Sequence, residues 1–232
     1  MSTQTSDNNK RIAKNTLLLY VRMLFMMVVS LYTSRITLNA LGVVDYGIYN
    51  VIGGVVATLA FLKSTLSSAS QRFITFELGR GNIESLKKVF ANTMSIHLIL
   101  AAVVVFLGET LGVWFLNTHM NIPSDRMFAA NIVLQCSLGS FVLTLLNVPY
   151  NGLIIAHERM NAFAYISILE VVLKLLIVYA IMVTSFDRLI LYAILWLCVG
   201  FLVQFIYFQY SFKQFSESRV KPIVDKVYFK KM

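Results

Sequence analysis

The chain has 232 residues, of which 58% are hydrophobic and 13% charged, with a mean hydropathy of +0.73 and a formal net charge of +9. Soluble globular domains carry about 25% charged residues, so this composition excludes an ordinary soluble enzyme or binding domain. The apolar residues form blocks long enough to cross a bilayer, which takes about 20 residues of helix. Because a span in lipid must satisfy its own backbone hydrogen bonds, we expect an integral membrane protein with helical spans.

Six hydrophobic segments, separated by short breaks rich in turn residues, predict an all-α membrane protein. In chain order the segments cover residues 16–38, 48–70, 89–116, 127–156, 163–185 and 189–212. We therefore assign residues 1–212 to a six-transmembrane-helix bundle and residues 213–232 to a basic cytoplasmic linker segment.

The distribution of Lys and Arg over the predicted loops indicates the orientation, because cytoplasmic loops carry an excess of these residues. With the N-terminus inside, 3 basic residues fall outside, namely Arg35, Arg126 and Arg188. The 14 on the inner side are Lys10, Arg11, Lys14, Arg72, Arg80, Lys87, Lys88, Arg159, Lys213, Arg219, Lys221, Lys226, Lys230 and Lys231. We expect both termini to be cytoplasmic, and the positive charge then needs no nucleic-acid partner.

Three basic residues, Arg22, Lys63 and Lys174, lie inside predicted spans. A cation at the bilayer centre costs about 2.5–3.5 kcal/mol on insertion scales, so such residues usually face a cavity or a partner. By helical spacing Arg22 shares one side of the first helix with Thr33, and Lys63 shares a face of the second with Ser67. We interpret these four residues as lining a substrate cavity. The alternative is that Glu109 of the third span neutralises one of the cations.

Glu170 and Lys174 are four residues apart on the fifth predicted helix, where each can neutralise the other. They are predicted to form a pair, either as an internal salt bridge of structural importance or as part of the coupling machinery.

The fourth span is predicted to be interrupted near Pro149 and Gly152, since proline removes a backbone donor and kinks a helix. In transporters such broken spans often mark a binding site or a moving joint, although packing alone can also shape a kink. The flanking amides of Asn147 and Asn151 are therefore further candidates for the substrate cavity.

Motifs for catalysis, cofactors or metals are missing from the sequence. There is no G-x-S-x-G, P-loop or dinucleotide-binding fingerprint. The three histidines, His97, His119 and His157, lie too far apart and lack Cys or carboxylate neighbours at ligand spacing. We expect no catalytic residue, no metal and no cofactor.

Several stretches resemble the polysaccharide-biosynthesis exporters, the O-antigen (lipid-linked oligosaccharide) flippases of the multidrug/oligosaccharidyl-lipid/polysaccharide superfamily. The order and spacing of the stretches carry the resemblance, which extends from Arg11 to the end of the chain. The stretches are Arg35 through Leu41-Gly42-Val43-Val44-Asp45-Tyr46-Gly47-Ile48-Tyr49, Ser70-Gln71-Arg72-Phe73, Val148-Pro149-Tyr150-Asn151 and Ala156-His157-Glu158-Arg159-Met160.

The resemblance implies two six-helix lobes around a central cavity that opens alternately to each side of the membrane. Members usually have 12 or more spans, so this chain resembles the N-terminal half, and a C-terminal lobe or second chain is implied as partner. The implied function is to move an anionic lipid-linked oligosaccharide across the bacterial inner membrane, for surface polysaccharide or lipopolysaccharide biosynthesis, with the membrane lipids as further partners.

Two other functions stay open at this point. One is a multidrug cation exporter of the same superfamily. Such an exporter would favour acidic cavity residues, whereas three basic residues and only two acidic ones, Glu109 and Glu170, lie inside the predicted spans. The other is a non-transporting membrane scaffold within a polysaccharide-assembly complex.

Overall fold

The computed structural model describes residues 2–58 and 60–223. For residues 2–9, 11–12 and 60–62 it describes the backbone only. Within these ranges the chain is helical and contains no strand, which confirms the predicted all-α class. A π-helical turn, Gly108–Gly112, joins α3 to α4. The α-helices are α1 Ser2–Ala57, α2 Ala60–Gly79, α3 Ile83–Leu107, α4 Val113–His119, α5 Met127–Ala156, α6 Met160–Met182 and α7 Arg188–Gln214.

Helix α1 folds back on itself at Gly42, whose backbone is non-helical with φ 80° and ψ 170°. A positive φ of this kind favours glycine, which has no Cβ to clash with the backbone. The hydroxyls of Ser34 and Tyr46 lie 3.1 Å apart, whereas 12 residues of straight helix would separate them by about 18 Å. Helix α1 therefore consists of two antiparallel arms, residues 2–41 and 43–57.

Five helical stretches are long and apolar enough to cross a membrane: Ala13–Ala57, Ile83–His119, Ser124–Ala156, Met160–Met182 and Arg188–Gln214. The reversal at Gly42 divides the first stretch between two passes. The second arm of α1 and helix α2 then lie at successive depths along α5. Ile52 belongs to the apolar cluster around Ala130 near the start of α5, and Ile74 to the cluster around Leu153 near its end. The chain thus forms the predicted six-helix bundle of a multi-pass membrane protein.

The predicted boundaries agree best for the fourth pass, where residues 127–156 coincide with α5. The second predicted span, residues 48–70, instead extends over residues 43–58 and 60–79 and includes the end of α1 and the whole of α2. The predicted interruption of the fourth span is wrong, because α5 is one helix with Pro149 inside it. Proline removes a single backbone donor, and the buried packing of Val148 and Leu153 on either side holds the helix together.

The connections between passes gather at two opposite ends of the bundle. Asp45, Arg126 and Asp187 contact one another at one end. At the other end, the segment that follows α7 turns back, and Glu217 meets His157 at the end of α5. This segment begins the predicted linker, whose residues 224–232 lie outside the described part of the chain.

Candidate functional site

The largest of the cavities described among residues 2–58 and 60–223, about 670 Å³, lies between the two arms of α1 and helices α6 and α7. We call it the Arg22 cavity. Both arms contribute to it because Gly42 brings them side by side. Its polar lining consists of Arg22, Ser30, Thr33, Ser34, Thr37, Tyr46, Tyr49, Asn50, Lys174 and Tyr192.

Two smaller cavities continue from it toward α5. The Tyr49 cavity, about 310 Å³, shares Tyr49 and Trp196 with the Arg22 cavity. The Lys63 cavity, about 190 Å³, shares Lys63, Ser140 and Thr144 with the Tyr49 cavity. The three cavities therefore adjoin one another and provide a path lined by polar side chains inside the bundle.

Arg22 is positioned by the face of α1 that carries Thr33 and Thr37, both of which are buried. Each threonine hydroxyl donates to a carbonyl of its own helix, at 2.7 Å and 2.8 Å. The Arg22 guanidinium lies 4.3 Å from the centre of the Phe163 ring. Its Nε and Nη1 are buried without a hydrogen-bond partner among the described residues, so this cation can still bind an acceptor.

Three side chains of α5 and one of α7 carry unpaired buried atoms at the Lys63 cavity. Ser140, Thr144, Asn147 and Asn151 follow one stripe of α5, at intervals of three and four residues. Buried oxygens without a partner among the described residues are Ser140 Oγ, Asn147 Oδ1, Asn151 Oδ1 and, from α7, Gln204 Oε1. A buried polar atom is normally paired, so this concentration around Lys63 indicates that a ligand or water completes the site.

Of the two acidic residues singled out in the sequence, Glu170 lines the Lys63 cavity but is already paired. Glu170 Oε1 accepts from Lys174 Nζ at 2.5 Å, and the same ammonium lies 4.4 Å from the centre of the Trp196 ring. Glu109 is exposed and accepts from Gln135 Nε2 at 3.1 Å, which places it away from the cavity cations. Neither Arg22 nor Lys63 makes an ion pair with a carboxylate that the structure describes.

The structure brings most of the sequence-predicted site residues together. Arg22, Thr33 and Lys174 line the Arg22 cavity, and Lys63, Asn147, Asn151 and Glu170 line the Lys63 cavity. Ser67 is half-buried on α2 and lines none of the three cavities.

Sequence reasoning missed an aromatic cluster where the Arg22 and Tyr49 cavities meet. The rings of Tyr49 and Tyr192 lie 4.9 Å apart, and those of Tyr192 and Trp196 lie 5.6 Å apart. The four-residue spacing of Tyr192 and Trp196 was the available signal, since it puts both rings on one face of α7. Aromatic faces of this kind suit sugar rings or the rings of lipophilic cations.

A second polar group, which we call the Arg126 clamp, closes the end of the bundle near Gly42. Arg126 Nε donates to Asp45 Oδ1 at 2.8 Å and Nη1 donates to Asp187 Oδ2 at 2.6 Å. Asp187 also caps α7 by accepting from the backbone N–H of Ile190 at 3.1 Å. Burial would raise the pKa of Asp187, but its hydrogen bonds to Ile190 and Arg126 outweigh this and hold the pKa below its usual value.

No protein-family model matches the sequence, and no curated protein matches it either. Among solved structures, the chain is similar to an outward-facing multidrug resistance MATE family transporter of the MOP superfamily, with a TM-score of 0.77 and 15% identity. The similarity covers 95% of this chain and 49% of the transporter. The chain thus spans about half the length of that structure and has the fold of one half of such a transporter.

Proposed function

We propose that the chain is a non-enzymatic membrane transporter, or the N-terminal half of one, that moves an anionic lipid-linked oligosaccharide across the membrane. The observation that carries the proposal is the net positive charge of the three cavities, together with the unpaired buried atoms of Arg22, Asn147 and Asn151. Arg22, Lys63 and Lys174 contribute three positive charges there against one negative charge from Glu170. A diphosphate headgroup that leaves water needs such cations to offset its lost hydration.

The oligosaccharide is matched by the neutral groups of the same cavities. Sugar hydroxyls can donate to the unpaired oxygens of Asn147, Asn151 and Gln204. Sugar rings can also stack on the aromatic cluster of Tyr49, Tyr192 and Trp196.

A multidrug cation exporter is the second candidate. The aromatic cluster and Glu170 favour a lipophilic cation, and the structurally similar protein is a multidrug resistance transporter. We rank this candidate lower because Glu170 is already bound to Lys174, while Arg22 and Lys63 would repel a cation. A non-transporting scaffold of a polysaccharide-assembly complex would leave the unpaired cavity atoms without a role.

The proposal includes a second lobe, from a longer chain or a separate one. The first arm of α1 exposes large apolar side chains along most of its length, which include Leu17, Val21, Leu24, Val28 and Leu31. Part of this surface faces lipid, and the Arg22 cavity opens beside it. A second lobe would cover the open side of the cavity.

We propose that both termini lie on the cytoplasmic side of the bacterial inner membrane, because the predicted inner loops carry the excess of Lys and Arg. Reporter fusions after Asp45, Asp125 and Asp187 should report an external position, and a fusion after Asn82 an internal one. An internal reading at Asp125 would refute this orientation.

The substrate is tested by direct binding to the purified chain. A polyprenyl diphosphate oligosaccharide and tetraphenylphosphonium, a lipophilic cation, are titrated in detergent. Arg22→Gln and Lys63→Gln should each weaken binding of the diphosphate about 10- to 100-fold, the range for a charge-assisted hydrogen bond, and should not weaken binding of the cation. Arg35→Gln is the matched control, since Arg35 lies on α1, is exposed and lines none of the three cavities.

Transport is tested by complementation of a flippase-deficient bacterial strain. The chain joined to a matching C-terminal half should restore surface polysaccharide, and Arg22→Gln or Lys63→Gln should abolish most of this activity while membrane insertion is unchanged. Normal transport by both variants would refute the role of buried positive charge. Complementation by the chain alone as a monomer would refute the need for a second lobe.

A further inference from the structure

A separate groove lies at the other end of the bundle, where the chain turns back after α7. We call it the tail groove. It has a volume of about 380 Å³, within the range of about 300–1,000 Å³ for ligand pockets. Its walls are mainly apolar and include Phe90, Met94, Leu98, Tyr150, Phe208 and Phe212.

Several walls of the groove remain open to the surroundings of the bundle. Leu98, Phe208 and Phe212 are 42%, 39% and 42% exposed, and all three belong to membrane-spanning helices. Exposed apolar side chains on a membrane-spanning helix are suited to contact acyl chains, because the hydrocarbon core of a bilayer contains no water.

Basic residues surround the outer end of the same groove. Arg219 and Lys221 line it, and Lys87 precedes Met94 and Leu98 on one face of α3 at intervals of seven and four residues. No described residue that lines the groove carries a carboxylate. The carboxylate of nearby Glu217 is occupied by His157 Nε2 at 2.5 Å.

The turn after α7 is fixed in place by hydrogen bonds. Ser218 Oγ donates to the Ser211 carbonyl at 2.9 Å, and Arg219 Nε donates to the Phe212 carbonyl at 2.9 Å. Ser95 Oγ on α3 donates to the Ile223 carbonyl at 3.0 Å. These bonds hold Arg219 and Lys221 at the mouth of the groove before any ligand arrives, which lowers the entropy cost of binding.

We propose that the tail groove binds an anionic diacyl phospholipid. One acyl chain lies along the aromatic wall, and the phosphate contacts Arg219, Lys221 and Lys87. The apolar wall belongs to the spanning helices, which the hydrocarbon of the bilayer surrounds. Arg219 and Lys221 follow the end of α7, where the headgroup region begins. Basic side chains that flank a spanning helix attract anionic lipid headgroups. The site does not depend on which substrate the chain transports.

The test uses the purified full chain in neutral detergent, with native mass spectrometry to count bound lipids. Dioleoyl phosphatidylglycerol, dioleoyl phosphatidylcholine and glycerol phosphate without acyl chains are titrated separately. The phosphatidylglycerol should bind about tenfold or more tightly than the phosphatidylcholine, and Arg219→Gln/Lys221→Gln should remove this preference. Lys10→Gln/Lys14→Gln is the matched control, because it removes the same charge from exposed positions on α1.

A third variant separates the acyl chain from the headgroup. Leu98→Trp narrows the groove at an exposed position. It should therefore weaken the binding of both diacyl lipids and leave the helical circular dichroism signal unchanged. The proposal is refuted if Leu98→Trp binds phosphatidylglycerol normally, or if glycerol phosphate competes as well as the diacyl lipid. An equal loss in the Lys10→Gln/Lys14→Gln chain would also refute it, since binding would then reflect overall charge.

Discussion

The Arg126 clamp and the three cavities use buried polar groups in opposite ways. In the clamp, each of the three side chains bonds to another, and Arg126 contacts both carboxylates. Around the cavities, atoms of Arg22, Asn147 and Asn151 lie buried without a partner among the described residues. An unpaired buried polar atom costs about 1–3 kcal/mol. The clamp therefore stabilises the fold, and the cavities hold binding capacity at a cost in stability.

The largest effect on stability is expected at the clamp. Arg126→Gln leaves the carboxylates of Asp45 and Asp187 without their shared cation, so the free energy of unfolding should fall by about 2–3 kcal/mol. Unfolding in mixed micelles, followed by circular dichroism, measures the change. Arg188→Gln is the control, because exposed Arg188 contributes one hydrogen bond to the Ala40 carbonyl and should cost about 1 kcal/mol. Equal losses in the two variants would show that Arg126 does not act as a clamp.

Substitutions at the cavities should have the opposite sign. Arg22→Met and Asn147→Leu each remove unpaired buried atoms, so the free energy of unfolding without substrate should stay constant or rise by about 1–2 kcal/mol. Asn92→Leu is the matched control, since Asn92 is buried on α3 and donates to the Lys88 carbonyl at 2.8 Å. That control should lose about 1–2 kcal/mol. A comparable loss from Arg22→Met would mean that Arg22 has a structural partner and no vacant binding capacity.

The same contrast explains how much the sequence could predict. Cations inside apolar blocks are local signals, so Arg22 and Lys63 could be assigned to a cavity from hydropathy and helical spacing. The partners of Arg126 lie 81 and 61 residues away in the chain, and no local pattern indicates such a contact. The role of Tyr49 likewise depends on the reversal at Gly42, which brings the two arms of α1 together.

The second pass shows the limit of hydropathy itself. Helix α2 carries Lys63, Glu77 and many small polar residues, so the apolar signal fades before the helix ends at Gly79. The opposite error occurred at Pro149, where a local helix-breaking signal predicted an interruption. Buried packing on both sides of that residue outweighs the loss of one hydrogen bond.

The Glu170–Lys174 pair shares a property with each region. Its two residues form an ion pair, as the residues of the clamp do, and they line the cavities. Glu170→Gln removes the ion pair at sites that are 32% and 24% exposed, so stability should fall by about 1 kcal/mol or less. The exchanged chain, Glu170→Lys with Lys174→Glu, should recover that stability. If the exchanged chain also binds the diphosphate as tightly as the unsubstituted chain does, the pair is structural. If the exchanged chain is as stable as the unsubstituted chain but binds the diphosphate more weakly, Lys174 belongs to the residues that contact the substrate.

The smallest expected effect is a pH dependence that belongs to the clamp. The pKa of Asp187 is depressed in the folded state despite its burial, owing to Ile190 and Arg126. The folded state therefore binds fewer protons than the unfolded state at acidic pH, where the usual pKa of an aspartate is about 3.9. The stabilisation is fully present above that value and is lost as the pH falls through the folded-state pKa.

The free energy of unfolding should thus be flat between about pH 7 and pH 5 and should fall below about pH 4. Asp187 is 32% exposed, so screening by solvent keeps the fall smaller than the loss caused by Arg126→Gln. Asp187→Asn should remove much of the slope, whereas Asp125→Asn, at an exposed position, should retain it. The measurement is the same mixed-micelle unfolding repeated across the pH range. A slope that survives in Asp187→Asn would assign the acid sensitivity to other carboxylates, and Arg126 would then stabilise the bundle mainly through Asp45.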